Sequence, residues 1–166
     1  MWSVRYGSAG VAGCEEEFIA KKCSLQLGYR GSGETPPTNT SIAPMLSVQN
    51  GARAVEFYGM AFGSAELFRL DGDTGAVVAR LSVETAEFWV ADEFPEHFNF
   101  SPETLGGSSV RMVMIVEDPD AAVARAVAAG AIIVVPVDNQ YGWRLGRIAD
   151  PFGHHWEIGK PVAETS

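Results

Sequence analysis

The sequence predicts an α+β fold made of two consecutive βαβββ modules that form a curved mixed sheet, an open barrel in outline. Three observations carry this expectation. Leu46 to Gly63 and Met114 to Gly130 have matching patterns, with Val48, Ala52 and Val55 paired to Val116, Asp120 and Val123 at an offset of 68 residues. Each pattern opens a segment that closes in a tryptophan-centred strand, Trp89 aligning with Trp156 at an offset of 67, as does Gly63 with Gly130. Between these landmarks the same order of one strand, one helix and three strands is legible in both halves. Internal repetition of this kind outranks any single motif as a guide to architecture.

In the first half, Ile42 to Val48 is an apolar run of strand length. Asn50 is placed to cap a helix in which Ala54, Val55, Phe57, Tyr58 and Phe62 recur at helical spacing until Gly63 ends it. Ala65 to Leu70, Gly75 to Val83 and Ala86 to Asp92 follow as strands, with Asp71-Gly72-Asp73 as the turn between the first two. Phe94 to Gly107 joins the halves. The second half repeats the order: strand Val110 to Val116, helix Asp120 to Ala129, strand Ala131 to Val137, a loop through Asn139, strand Trp143 to Asp150 and strand His154 to Gly159. The modules therefore span 42–92 and 110–159 of one domain, 42–160.

Residues 1–41 differ in composition. Scattered glycines and the run from Thr35 to Ser41 break regular structure, so an extension with little order is expected rather than a second domain. Cys14 and Cys23 both lie in it and cannot staple the repeated fold. Deleting this extension is expected to leave the melting temperature nearly unchanged; a loss of many degrees in a thermal melt would show that it docks on the body.

The net charge is -9, and residues 42–166 hold all of the excess, with 17 acids against 8 bases. Such a surface repels a phosphate backbone, which argues against nucleic-acid partners. No apolar run approaches the roughly 18 residues of a membrane span, and the N-terminus lacks the layout of a secretory signal. A soluble, cytoplasmic protein is expected.

Three stretches carry a resemblance: Ala54 to Tyr58 leading to Ala61-Phe62-Gly63, Val116-Glu117-Asp118 opening the second helix, and Asp150 to Trp156 before the last strand. They resemble the vicinal oxygen chelate superfamily of glyoxalases, bleomycin-resistance proteins, fosfomycin-resistance enzymes and ring-cleaving dioxygenases. The resemblance is nearest to its glyoxalase-like members of unassigned activity and covers about residues 42–160. It implies that each module curves into half a barrel, with His and Glu ligands for a divalent metal on the first and last strands. Carried over to this sequence, those positions fall at Ala43, Arg111, Val90 and Glu157. Glu157 alone is of a ligand type, because Ala43 and Val90 coordinate nothing and a guanidinium has no acceptor lone pair. No metal is therefore expected. The alternative is a divalent ion held through Asp92 or Glu93 turned inward by a bulge.

The candidate site is built from what remains. Arg111 and Glu157 are expected to face each other as an ion pair, with His155 beside them by strand periodicity. Tyr141, Trp143 and the loop carrying Phe94, His97 and Phe98 are candidate walls for a flat or aromatic small molecule. Trp89 and Trp156, one residue before the ligand positions, are assigned to the helix side, His154 to loop backbone contacts and Arg80 to solvent. Two functions fit. One is a metal-free binding protein of the bleomycin-resistance kind, acting as a homodimer; the other is a lyase- or dioxygenase-like enzyme working through a metal or through proton transfer by Glu157 and His155.

Overall fold

A computed structural model describes residues 40–162. The expectations about the extension and its two cysteines fall outside the described residues.

The duplicated α+β architecture is borne out. β1 (Met45–Val48), α1 (Gly51–Phe62), β2 (Ala65–Asp71), β3 (Val77–Val83) and β4 (Ala86–Asp92) form the first module. A one-turn 3-10 segment, Pro95–His97, and the short α2 (Pro102–Leu105) cross to the second: β5 (Arg111–Ile115), α3 (Pro119–Ala128), β6 (Ile132–Gln140), β7 (Trp143–Ala149) and β8 (His155–Pro161). Each module is a four-stranded mixed sheet, in the orders β1-β4-β3-β2 and β5-β8-β7-β6. The first and last strands of each pair in parallel and the rest antiparallel. The two sheets do not join into a closed barrel.

Local chemistry explains the helix limits. Asn50 accepts from the Arg53 amide at 3.0 Å and Gly63 ends α1 at φ 68°, a left-handed position that glycine enters without a Cβ penalty. In the second module Asp118 is the cap, accepting from the Ala121 amide at 3.0 Å, and Pro119 takes the first helical position, one residue earlier than the sequence pattern suggests.

α1 packs on β1, β3 and β4, α3 on β6, β7 and β8, and the helices also meet each other. One core results, drawing Phe57, Tyr58, Phe62, Phe88 and Val90 from the first module and Val123, Ile148, Phe152, Trp156 and Ile158 from the second. At its centre is a buried carboxylate. Asp150 Oδ2 accepts from the Tyr58 hydroxyl at 2.7 Å and the Trp156 indole at 3.0 Å, while Oδ1 accepts from the amides of Phe152 (3.0 Å) and His154 (2.9 Å). Four donors offset the desolvation that makes a buried charge costly. The His154 ring lies 2.9 Å from the Ser47 carbonyl, so the turn after β7 is fastened to the first module.

Two expectations are corrected. Trp89 does not face the helices: Phe88 (4% exposed) and Val90 (0%) do, and Trp89 lies on the opposite face, 6.1 Å from Phe68, with the Arg80 guanidinium 5.7 Å over its ring. The cause is one extra residue. The Ser82–Glu87 pair matches the Ala149–His155 pair, yet four residues separate the first and five the second. The true offset in the last strand is therefore 68, which aligns Trp89 with Glu157 and Phe88 with Trp156. Arg80 accordingly shares the open face with Trp89 rather than standing free in solvent.

The second correction is at Asn139, which lies within β6 rather than in a loop. Bulges between Ile133 and Val135 and between Val135 and Asp138 break the alternation that marks a strand in sequence. The connection to β7 is the two-residue turn Tyr141-Gly142, both at positive φ (53° and 75°), as a tight hairpin demands.

Candidate binding site

β8 is central in the second sheet, and its alternate residues divide cleanly. Trp156 and Ile158 enter the core, so His155, Glu157 and Gly159 face the other way. Cross-strand pairing then gives the open face: Arg147 and Val113 flank Glu157, and Arg111 is opposite His155. Arg111 Nη1 donates to Glu157 Oε1 at 2.8 Å, and Arg147 Nη2 donates to the same oxygen at 2.7 Å. The carboxylate is the most enclosed of the three, its side chain 19% exposed against 30% for Arg147 and 53% for Arg111. Charge-assisted bonds of this length fix all three side chains.

Arg147 was not singled out by the sequence. The signal was present, since it alternates with Trp143 and Leu145 on β7 and falls opposite Glu157 once the hairpin register is drawn. Around the cluster the face is apolar and open: Val113 is 62% exposed and Ile115 56%. These two also line a cavity of about 450 Å³ between β5 and the β3–β4 hairpin, together with Phe88, Trp156, Glu84 and Glu87.

The other candidates lie further off. Trp143 shares the face of Arg147 but is four residues along the strand, about 13 Å at strand rise. Tyr141 occupies the tip of the β6–β7 hairpin, 96% exposed. Phe94 follows β4 on the first module and stacks on His97, with ring centroids 4.5 Å apart, while Phe98 is left 78% exposed. None of these aromatic rings stacks on another across the two sheets among the described residues.

Asp92 and Glu93 are occupied structurally. Asp92 accepts from the Gly51 amide (3.1 Å) at the start of α1 and from the Val77 amide (2.7 Å). A side chain at position 51 would come within 2.5 Å of that carboxylate, which accounts for the glycine. Glu93 accepts from the Ser101 amide and the Thr104 hydroxyl, and these bonds hold its carboxyl below the usual range. Arg144 pairs with a surface acid, Asp120, through two bonds of 2.5 Å.

Duplicated βαβββ halves with a charged cluster on an open sheet face define a protein of glyoxalase-like fold. The family model "Glyoxalase At5g48480-like C-terminal domain" matches residues 112–158, which hold most of the cluster. An uncharacterised Mycobacterium tuberculosis protein, Rv0887c, is 36% identical over 145 residues, covering 83% of this chain and 85% of its own. The X-ray structure of the Arabidopsis thaliana At5g48480 gene product is similar at a TM-score of 0.59 and 31% identity, covering 74% of this chain and all of that one. TioX from Micromonospora sp. ML1 follows at 0.56 and 27%, with 74% and 100% covered. The chain belongs to the glyoxalase-like family of Rv0887c and the At5g48480 gene product, in keeping with its resemblance to the vicinal oxygen chelate superfamily.

The superfamily's metal does not fit these residues. With the corrected alignment its four positions hold Ala43, Trp89, Arg111 and Glu157, one donor in all, and that carboxylate already accepts from two guanidiniums. A catalytic divalent site needs at least three protein ligands. Among the described residues no three His, Cys, Asp or Glu side chains converge. Nor is any described helix long and apolar enough to cross a membrane.

Proposed function

We propose that this protein is a metal-free small-molecule binder of the bleomycin-resistance kind, working in the cytoplasm as a homodimer and taking a flat or aromatic ligand on the open face of the second sheet. The working unit is residues 42–160, with 1–41 as an extension. The observation that carries the reading is the cluster of Arg111, Glu157 and Arg147 set in exposed apolar sheet surface, where relatives by fold would need metal donors. Polar groups fixed in advance within an apolar cleft are what orient a small ligand.

Dimerisation has its own support. Val113, Ile115, Ile132 and Val135 leave one module's sheet face uncovered, and a second copy would complete the half-barrel. Light scattering at micromolar concentration is expected to report a dimer; a monomer there would remove this part of the proposal.

Binding is tested by thermal-shift screening of aromatic small molecules followed by titration. Arg111→Ala and Glu157→Gln are each expected to weaken a hit by about tenfold or more, with His155→Ala intermediate. Arg53→Ala, at an exposed position on α1, is the control, since Arg80 lies on an open face. Unchanged binding in all of these variants places the site elsewhere. Stoichiometric zinc, nickel, manganese or iron that survives dialysis and is lost on Glu157→Gln would overturn the metal-free reading.

A further inference from the structure

We propose that the ligand held by this cluster is a monoanionic acid with an apolar body, an aromatic or aliphatic carboxylate. The inference rests on the binding reading above and names the chemistry it requires. Arg111 and Arg147 both spend a bond on the same oxygen, Glu157 Oε1. Two permanent cations on one carboxylate leave a local charge of about +1, on a chain whose overall charge is -9. Covering this face with a neutral ligand would desolvate that charge without a partner, which is costly; covering it with one anionic group completes the pair.

The donor inventory agrees. A guanidinium has several N–H donors in a planar fork, and each of these two makes its one hydrogen bond among the described residues to Glu157. Arg147 Nε is buried with no partner, so this side chain is not satisfied by the protein alone. The terminal Nη groups not spent on Glu157 match a carboxylate, which accepts two parallel bonds. Glu157 sets the upper limit on charge. A dianion would meet its carboxylate at close range, so a single negative charge is selected. The remainder of the ligand meets Val113, Ile115, Val135 and Leu145, none of which offers a polar side chain.

Three probes of one shape, 1-naphthoate, 1-naphthamide and 1-naphthylmethylamine, test this on the full chain by isothermal titration calorimetry. Naphthoate is expected to bind about tenfold or more tightly than the amide, with its advantage shrinking as salt is raised, and the amine weakest. Arg147→Met and the more exposed Arg111→Gln should each abolish the advantage of naphthoate over the amide, with thermal melts confirming that both variants fold. If all three probes bind equally, the preference for an anion is wrong and the cleft reading stands. If none binds at millimolar concentration, both are wrong.

Discussion

Asp150→Ala is expected to lower the unfolding free energy by about 3–5 kcal/mol, the largest loss of any polar substitution in the described chain. The carboxylate is 5% exposed and accepts four hydrogen bonds, from Tyr58, Trp156, Phe152 and His154. Removing it strands all four donors at once. Tyr58→Phe removes only one partner and is expected to cost about 1–2 kcal/mol. Urea denaturation of both variants checks the ratio, and equal losses would show that the tyrosine bond carries the effect alone. Burial, and then the charge and hydrogen bond of Asp150, push the Tyr58 hydroxyl well above its ordinary range. A raised folded-state value means that this contribution is full below the tyrosine's unfolded pKa and is lost as pH rises through the folded one. Alkaline unfolding should therefore be less steep in Tyr58→Phe.

The two tryptophans give the second large effect, because only one of them is in the core. Trp156→Ala should cost about 3–5 kcal/mol, as its ring is 3% exposed and packs on Phe62, Tyr58 and Phe88 at centroid distances of 4.7, 5.6 and 5.7 Å. Trp89→Ala removes a half-buried ring in contact with Phe68 and Arg80 on the open face and should cost less than half as much. Thermal or urea melts of the pair decide it. Comparable losses would restore the symmetric assignment that the sequence suggests.

That assignment shows where sequence reading reaches its limit here. The repeat, both helices and the caps of the first were legible because apolar spacing, Asn50 and Gly63 are local signals, whereas the cap of the second, Asp118, lies two residues before the position the spacing marks. The facing of Trp89 was not, since alternation fixes the two faces of a strand but not which one a helix covers, and one inserted turn residue reverses the answer. β6 was cut short for a related reason: its two bulges interrupt the period of two. The Arg111–Glu157 contact followed from aligning equivalent strands, as both residues lie on the last-strand and first-strand edge of one parallel pair. Arg147 needed the pairing register of β7 with β8, which depends on the length of the turn between them. The anchoring role of Asp150 was out of reach because its partners, Tyr58 and Trp156, are 92 and 6 residues away.

The bond between Tyr58 and Asp150 has no mirror image. At the helix position equivalent to Tyr58 the second module has Ala126, which carries no hydroxyl, and the five-residue turn that holds Asp150 is four residues long in the first module. The halves are thus complementary rather than interchangeable. A chain assembled from two first modules would bury two phenols without an acceptor, and one assembled from two second modules would leave each carboxylate short of a donor. Donor and acceptor of this buried bond come from different halves, so each half's core is completed by the other.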